Sequence, residues 1–320
     1  MRIRVLTWIL CSVAFAVAPL LLSEYTIYLV NLIAVTGILA LGLTIVTGIA
    51  GQVSLAQAAF SAIGGYGAVL LAMGVGLPLW LGILLAAALA AAVGYLLGLP
   101  ALRLEGPYLA LVTLGFTAIV QTLLIHWTGL TNGQLGLQVP ALTFGGRPLT
   151  SSKELYWVVL PVTVGLFVIA GRIIRSRIGR AFQALRQSEV AAQVLGVNPV
   201  HYKTLAFALS AFYGGIGGGL SAILTTFLSP DAFGIIESIY FLVVIVVGGV
   251  GVVGGALLGS ALLVLLPEML STFKHYQVLI YGILLLTFIV FAPGGLSDLG
   301  SILKNHTWLR RYFSLTRTRS

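Results

Sequence analysis

The sequence predicts an all-α integral membrane protein of about 8–10 transmembrane helices, including glycine-broken or re-entrant segments. Three observations carry this expectation. Of 320 residues, 59% are hydrophobic and 8% are charged, against about 25% charged in soluble domains. The mean hydropathy is +1.09, and no water-soluble fold hides that much apolar surface. The bases are also clustered. Arg2 and Arg4 open the chain, Arg172, Arg175, Arg177, Arg180 and Arg186 precede Lys203, and Lys304, Arg310, Arg311, Arg317 and Arg319 close it. Basic loops stay on the cytoplasmic side, so the net charge of +9 is a topology signal and not a nucleic-acid footprint.

A span needs about 20 apolar residues. In order, the runs are Val5–Leu22, Thr26–Thr47, Val53–Met73, Leu77–Leu99, Tyr108–Trp127, Leu155–Ala170, Thr204–Leu228 and Val278–Phe291. The first resembles a cleavable signal peptide, with two arginines before it and Ala16-Val17-Ala18 within it. Its apolar run continues past Ala18, which favours a retained helix. The lone Cys11 excludes an internal disulfide framework. Counting crossings from an inner N-terminus puts residues 171–203 and 304–320 inside and residues 128–154 outside. Arg103 and Glu105 fall in an inner turn. The basic tail then ends inside only if Ile236–Leu270 crosses twice or not at all. Its "VVGGVGVVGGALLG" permits a broken hairpin, which is tolerated only where protein or a water-filled cavity surrounds it. Residues 1–303 thus form one transmembrane domain, with 171–203 as a cytoplasmic loop and 304–320 as a basic tail.

Polar residues interrupt the third run. In "AGQVSLAQAAFSAIGGYGAVLL", Gln52, Ser54, Gln57, Ser61 and Gly65 stand among apolar neighbours. At 100° per residue, Ser54, Gln57, Ala58, Ser61, Gly65 and Ala68 share one sector. Leu55, Ala59, Ile63, Tyr66 and Leu70 fall opposite, on an expected lipid side. The small polar face serves either helix packing or a solute path. The two glycines of "TGIAGQVS" would let a helix break there and aim its N-terminus at an anionic group.

Other signals exclude functions. Gly249-x-Gly251-x-x-Gly254 matches a dinucleotide fingerprint but lacks the βαβ setting. Gly214, Gly215, Gly218 and Gly219 are spaced for close helix contact. Acids such as Glu24, Glu154, Asp231, Glu237 and Asp298 sit at span edges or in loops, so proton coupling loses weight. There is no phosphate-binding loop, and no G-x-S-x-G, H-E-x-x-H or cysteine pair speaks for an enzyme or a metal centre.

In the basic loop, Ser188 can cap a short helix that Gly196 ends and Pro199 prevents from continuing. Ala191, Val194 and Leu195 would give it a small apolar face. Such a face suits a partner's groove or an anionic lipid surface. Glu189, the only acid among the loop arginines, would pair with one of them or with a partner's base.

"SEVAAQVLGVN" resembles the EAA-type coupling loop of ABC importer permeases, with Glu189, Ala192 and Gly196 at its Glu, Ala and Gly positions and its later Ile-x-Leu-Pro absent. "GQVSLAQAAFSAIGGYGAVLL", "EGPYLALVTLGF", "TNGQLGL", "GRAFQALRQSEVAAQVLGVN" and "VVGGVGVVGGALLG" are together similar to LivM-type permeases of branched-chain amino acid transporters, in order from Asn31 to Pro293. Gln57 departs from the family's usual His. The resemblance implies a pore-forming permease subunit of the bacterial inner membrane. It also implies a LivH-type partner permease, two ABC ATPase subunits and a periplasmic solute-binding protein. It makes Glu189, Ala191, Ala192, Leu195 and Gly196 the ATPase-coupling residues, with no cofactor on this chain because ATP binds to the partners. Permeases for urea or short amides share the architecture, and a passive channel or secondary carrier is the reading of another class.

Overall fold

The computed structural model describes residues 22–100, 104, 106–144 and 147–269, together with Pro19, Leu279, Gly282, Ile283, Leu286 and residues 295–297. Most of the runs at Val5–Leu22 and Val278–Phe291, the tail 304–320, Arg103 and Glu105 lie outside the described residues.

Helix α1, Glu24–Leu43, is capped by Ser23 and runs on as a π-helix over Thr44–Ile49. After an irregular stretch come α2 (Gln57–Val75), α3 (Leu79–Gly98) and α4 (Pro107–His126). Helix α5 (Ser152–Arg175) begins at a capping box in which Ser151 and Glu154 satisfy each other's backbone. Helices α6 (Arg177–Gln187) and α7 (Glu189–Val194) precede α8 (Pro199–Thr225), where Asn198 is the cap and Pro199 the first residue. Helices α9 (Ile235–Gly248) and α10 (Val253–Met269) follow. Among the described residues, six helices are long and apolar enough to cross a membrane, and α9 with α10 form a pair bent by 116°.

The bent pair resolves the crossing count. At its first end, Gln121 of α4 donates weakly to the Pro230 carbonyl at 3.5 Å. Its far end, Pro267 and Glu268, shares a cleft with Tyr25 at the start of α1. Both ends belong to the face where Ser151 donates to Glu24 at 2.6 Å. The break lies on the opposite, basic face, where the Arg186 guanidinium donates to the Gly48 carbonyl and borders Gly251. Gly249 (φ 120°) and Gly251 (φ 89°) make the turn in backbone that side chains resist. Gly295 packs against Gly249, so the chain is back on the basic face by residue 295. The fingerprint-like glycines are therefore a hairpin corner.

Helix α8 is the centre of the bundle and packs most extensively on α3, α2 and α1. Its glycines admit neighbouring backbones. A Cβ added at Gly218 would lie 1.9 Å from the Ser61 carbonyl oxygen, and one at Gly64 would lie 2.1 Å from that of Gly215. Gly214 meets Phe60 and Gly219 meets Ile83 in the same way. Lipid tails are as apolar as leucine, so such close packing is what holds helices together.

Three expectations change. The run Val53–Met73 is helical only from Gln57, because residues 51–56 leave the helix at Gly51 (φ 73°). The basic loop is not open coil: α6 buries Gly179, Ala181, Phe182 and Leu185. The expected outer loop carries small β-pairs. Strands β1 (Leu137–Gln138) and β4 (Phe227–Leu228) pair antiparallel with Leu137 opposite Leu228. Strands β2 (Leu142–Phe144) and β3 (Arg147–Leu149) form a hairpin.

The packing predicts a sharp contrast. Gly218→Val should lower the melting temperature in detergent strongly, because overpacking of a tight contact costs about 1–3 kcal/mol or more. Gly165→Ala, with no atom near its added methyl, should leave it unchanged. Equal melting of the two variants would show that the α2–α8 approach is not what holds the bundle.

Candidate functional sites

The polar residues of the third run fall into separate roles. Gln57 is buried, its Nε2 donates to the Leu39 carbonyl at 2.8 Å, and its Oε1 accepts from Ser210 at 3.1 Å. It therefore ties α2 to both α1 and α8, which is helix packing. Ser54 is buried but precedes the helix, and its amide donates to Thr47 Oγ1 at 3.3 Å. Gln52 is half-buried, and its carbonyl accepts from Thr47 Oγ1 at 3.1 Å. Gly65 faces the Gly218 carbonyl. The expected lipid side is corrected: Ala59 and Tyr66 are buried, because α2 is surrounded by protein over most of its length. At the N-terminus of α2, Ser238 of α9 accepts from the Ala58 amide at 3.3 Å.

Ser61 alone of these residues opens onto a cavity. A chamber of about 170 Å³ lies between α1, α2, α8 and α9. Its apolar wall includes Leu32, Val35, Leu39 and Phe241, and its polar wall Thr36, Ser61, Ser221 and Glu237. Leu32, Thr36 and Glu237 also line an adjoining cleft of about 780 Å³. Sequence reading placed Glu237 at a span edge and missed Thr36 and Ser221. Their shared chamber depends on helix packing that spacing along one helix does not reveal.

The second site is on the basic face. Helix α7 is anchored from two directions. Its Ala192 is 1% exposed, and its Glu189 accepts from Lys203 Nζ at 2.5 Å. Lys203 itself is buried. Glu189 thus pairs with the lysine of α8 and not with a loop arginine. Ser188 caps the helix by accepting from the Ala191 amide, and Gly196 (φ 83°) ends it in a left-handed turn. Val194 is 83% exposed and Leu195 80%, beside exposed Val190 and Ala191. Of the residues expected to couple, Ala192 and Glu189 hold the helix while Ala191 and Leu195 face out. The outward patch also contains Val190.

The chain matches, over residues 25–291, the family described as branched-chain amino acid transport system / permease component. The chain belongs to this permease family. It is 36% identical over 303 residues to the high-affinity branched-chain amino acid transport system permease protein LivM of Escherichia coli K12, covering 87% of this chain and 71% of that protein. LivM of Salmonella typhimurium is also 36% identical, over 90% of this chain and 74% of the relative. LivH of Escherichia coli K12 is 25% identical over 80% of this chain and 89% of its own length. No solved structure matches. The family match and the run of apolar helices make this permease a multi-pass inner-membrane protein.

The Glu189–Lys203 pair gives a test of how α7 is held. Glu189→Gln leaves a buried ammonium without its counter-charge. The expected loss is on the order of 2 kcal/mol, below the range for a fully buried pair because Glu189 keeps some contact with water. Adding Lys203→Met should restore most of the melting temperature, since a packed apolar side chain needs no counter-ion. Additive losses in the double variant would show that the two side chains do not act as a pair.

Proposed function

We propose that the chain is the pore-forming permease subunit of an ABC importer that carries branched-chain amino acids inward, with ATP hydrolysed on partner subunits. A LivH-type permease would complete the pore, two ATPases would dock on the basic face, and a solute-binding protein would deliver substrate to the opposite face. Membership of the family supports the transport role, and the relatives named for branched-chain amino acids support the substrate.

The single observation that supports ATPase docking is the form of α7. A helix of under two turns cannot hold itself together in water. Here the cap, the buried Ala192 and the ion pair to Lys203 hold it, while Val190, Val194 and Leu195 point away from every neighbour. Apolar side chains fixed on the outside of a rigid short helix suit a partner's groove. The helix is fastened to α8, so a push on α7 is delivered to the bundle's central helix. The burial of Ala192 also decides which substitutions report on docking. Ala192→Arg would unseat α7 from its own chain, whereas changes at Val194 and Leu195 alter only the outer face.

Val194→Arg with Leu195→Arg should therefore leave insertion and melting temperature unchanged. It should abolish ATPase co-purification and uptake of leucine. A double variant that keeps its ATPase and transports normally would refute α7 as the coupling element.

A further inference from the structure

We propose that the chamber between α1, α2, α8 and α9 is a transit site for a zwitterionic, apolar amino acid, with Glu237 as the partner of the ammonium group. Thr36, Ser61 and Ser221 would take the carboxylate, and Leu32, Val35, Leu39 and Phe241 the aliphatic side chain. The proposal rests on the transport reading above and adds the place and the chemistry of the contact.

The hydroxyls carry the inference. A threonine or serine in an apolar helix normally bonds back to its own helix. Thr44, Thr163 and Thr204 do so here, each at 2.8 Å to the carbonyl four residues earlier. Thr113 does so at 3.0 Å. Thr225, which also lines the chamber, donates to Ser221 and Phe227 carbonyls. Thr36, Ser61 and Ser221 make no such bond among the described residues. Thr36 is 6% exposed and Ser61 3%, so both are removed from the surface; Ser61 lines the chamber, and Thr36 lines both it and the adjoining cleft. Three helices thus bring three free hydroxyls to one small space.

Glu237 completes the set. It lies in the first turn of α9, where the helix dipole favours negative charge. It makes no ion pair among the described residues, where Glu189–Lys203 is the only one. An unpaired carboxylate in a membrane protein is costly and marks a solute path. An ammonium group entering the chamber would supply the missing counter-charge. Among the described residues no basic side chain lines the chamber, so the substrate carboxylate has hydroxyl donors as its partners. An apolar wall with a few convergent polar groups is the usual form of a small-molecule site. Its contact with the larger cleft, through Thr36 and Glu237, gives a route in.

The test uses the assembled transporter in proteoliposomes, with leucine supplied on saturating solute-binding protein, so that capture from solution does not set the rate. Glu237→Gln should lower leucine uptake about tenfold or more, the worth of a charge-assisted hydrogen bond. Glu237→Asp should recover part of it. Thr36→Val is the second variant. It keeps the shape, and its hydroxyl has no partner in the chain to lose, so the melting temperature should hold while uptake falls about tenfold. A merely structural role would move the melting temperature instead. Wild-type uptake by Glu237→Gln and Thr36→Val together would overturn the chamber as a transit site. A wild-type complex that carries urea but not leucine would instead overturn the substrate reading on which the proposal rests.

Discussion

The backbone-to-backbone contact of α2 with α8 is the constraint on which the rest of the molecule depends. Water cannot drive helices together inside lipid, so association rests on van der Waals contact and on polar bonds across helices. Gly64 against Gly215, and Ser61 against Gly218, bring the two helices to a separation that no side chain would allow. Helix α3 meets α8 in the same manner, with Gly94 near Ala211 and Gly98 near Thr204. Once α8 is fixed at the centre, α1 is positioned by the Gln57 bonds to Leu39 and Ser210. The Tyr213 hydroxyl then reaches the Leu166 carbonyl of α5 at 2.9 Å. Each of these polar bonds is short and buried, and each depends on the glycine contact having been made.

The chamber is the place where this close packing stops. Ser61 is held by its backbone against Gly218, yet its hydroxyl points into open space. One turn before it on α2, Gln57 uses both ends of its amide to join helices. The same polar face therefore does two jobs in sequence along the helix axis. Gln57 seals the bundle, and Ser61 lines a cavity within it. Helix packing and solute contact were competing readings of that face; Gln57 fits the first, and the proposed transit site puts Ser61 in the second.

Much of this was legible from composition and spacing. The apolar runs predict α1 to α5 and α8, and the need for the basic tail to end inside predicts the hairpin of α9 and α10. The glycine spacing of α8 predicts close contact. What the sequence hid has physical reasons. Helix α6 lies inside an arginine-rich stretch that reads as a solvated loop, although Ala181, Phe182 and Leu185 stand at helical spacing on one face. The β-pairs are too short to show alternation. Ala59 and Tyr66 looked lipid-facing because an amphipathic reading assumes one exposed side, whereas α2 has neighbours nearly all round. The chamber residues come from four helices, and Thr36, Ser61, Ser221 and Glu237 have no common spacing to detect.

The two faces of the molecule are mechanically joined. On the basic face, Lys203 ties α7 to α8, and Arg186 ties α6 to the end of the π-helix that continues α1. That π-helix also abuts the hairpin corner, where Gly48 lies against Gly251. Helices α1, α8 and α9 each run from these attachments to the chamber wall. The short helices are held to the bundle through side chains, Glu189 on Lys203 and Arg186 on the Gly48 carbonyl. These attachments lie on the helices that supply Thr36 and Ser221, and the Gly48–Gly251 contact lies at the end of the one that supplies Glu237. The glycine contact of α2 with α8 leaves the two backbones in direct contact, with no side chain between them. Under the proposed coupling, a push on the basic face would reach the chamber through these helices.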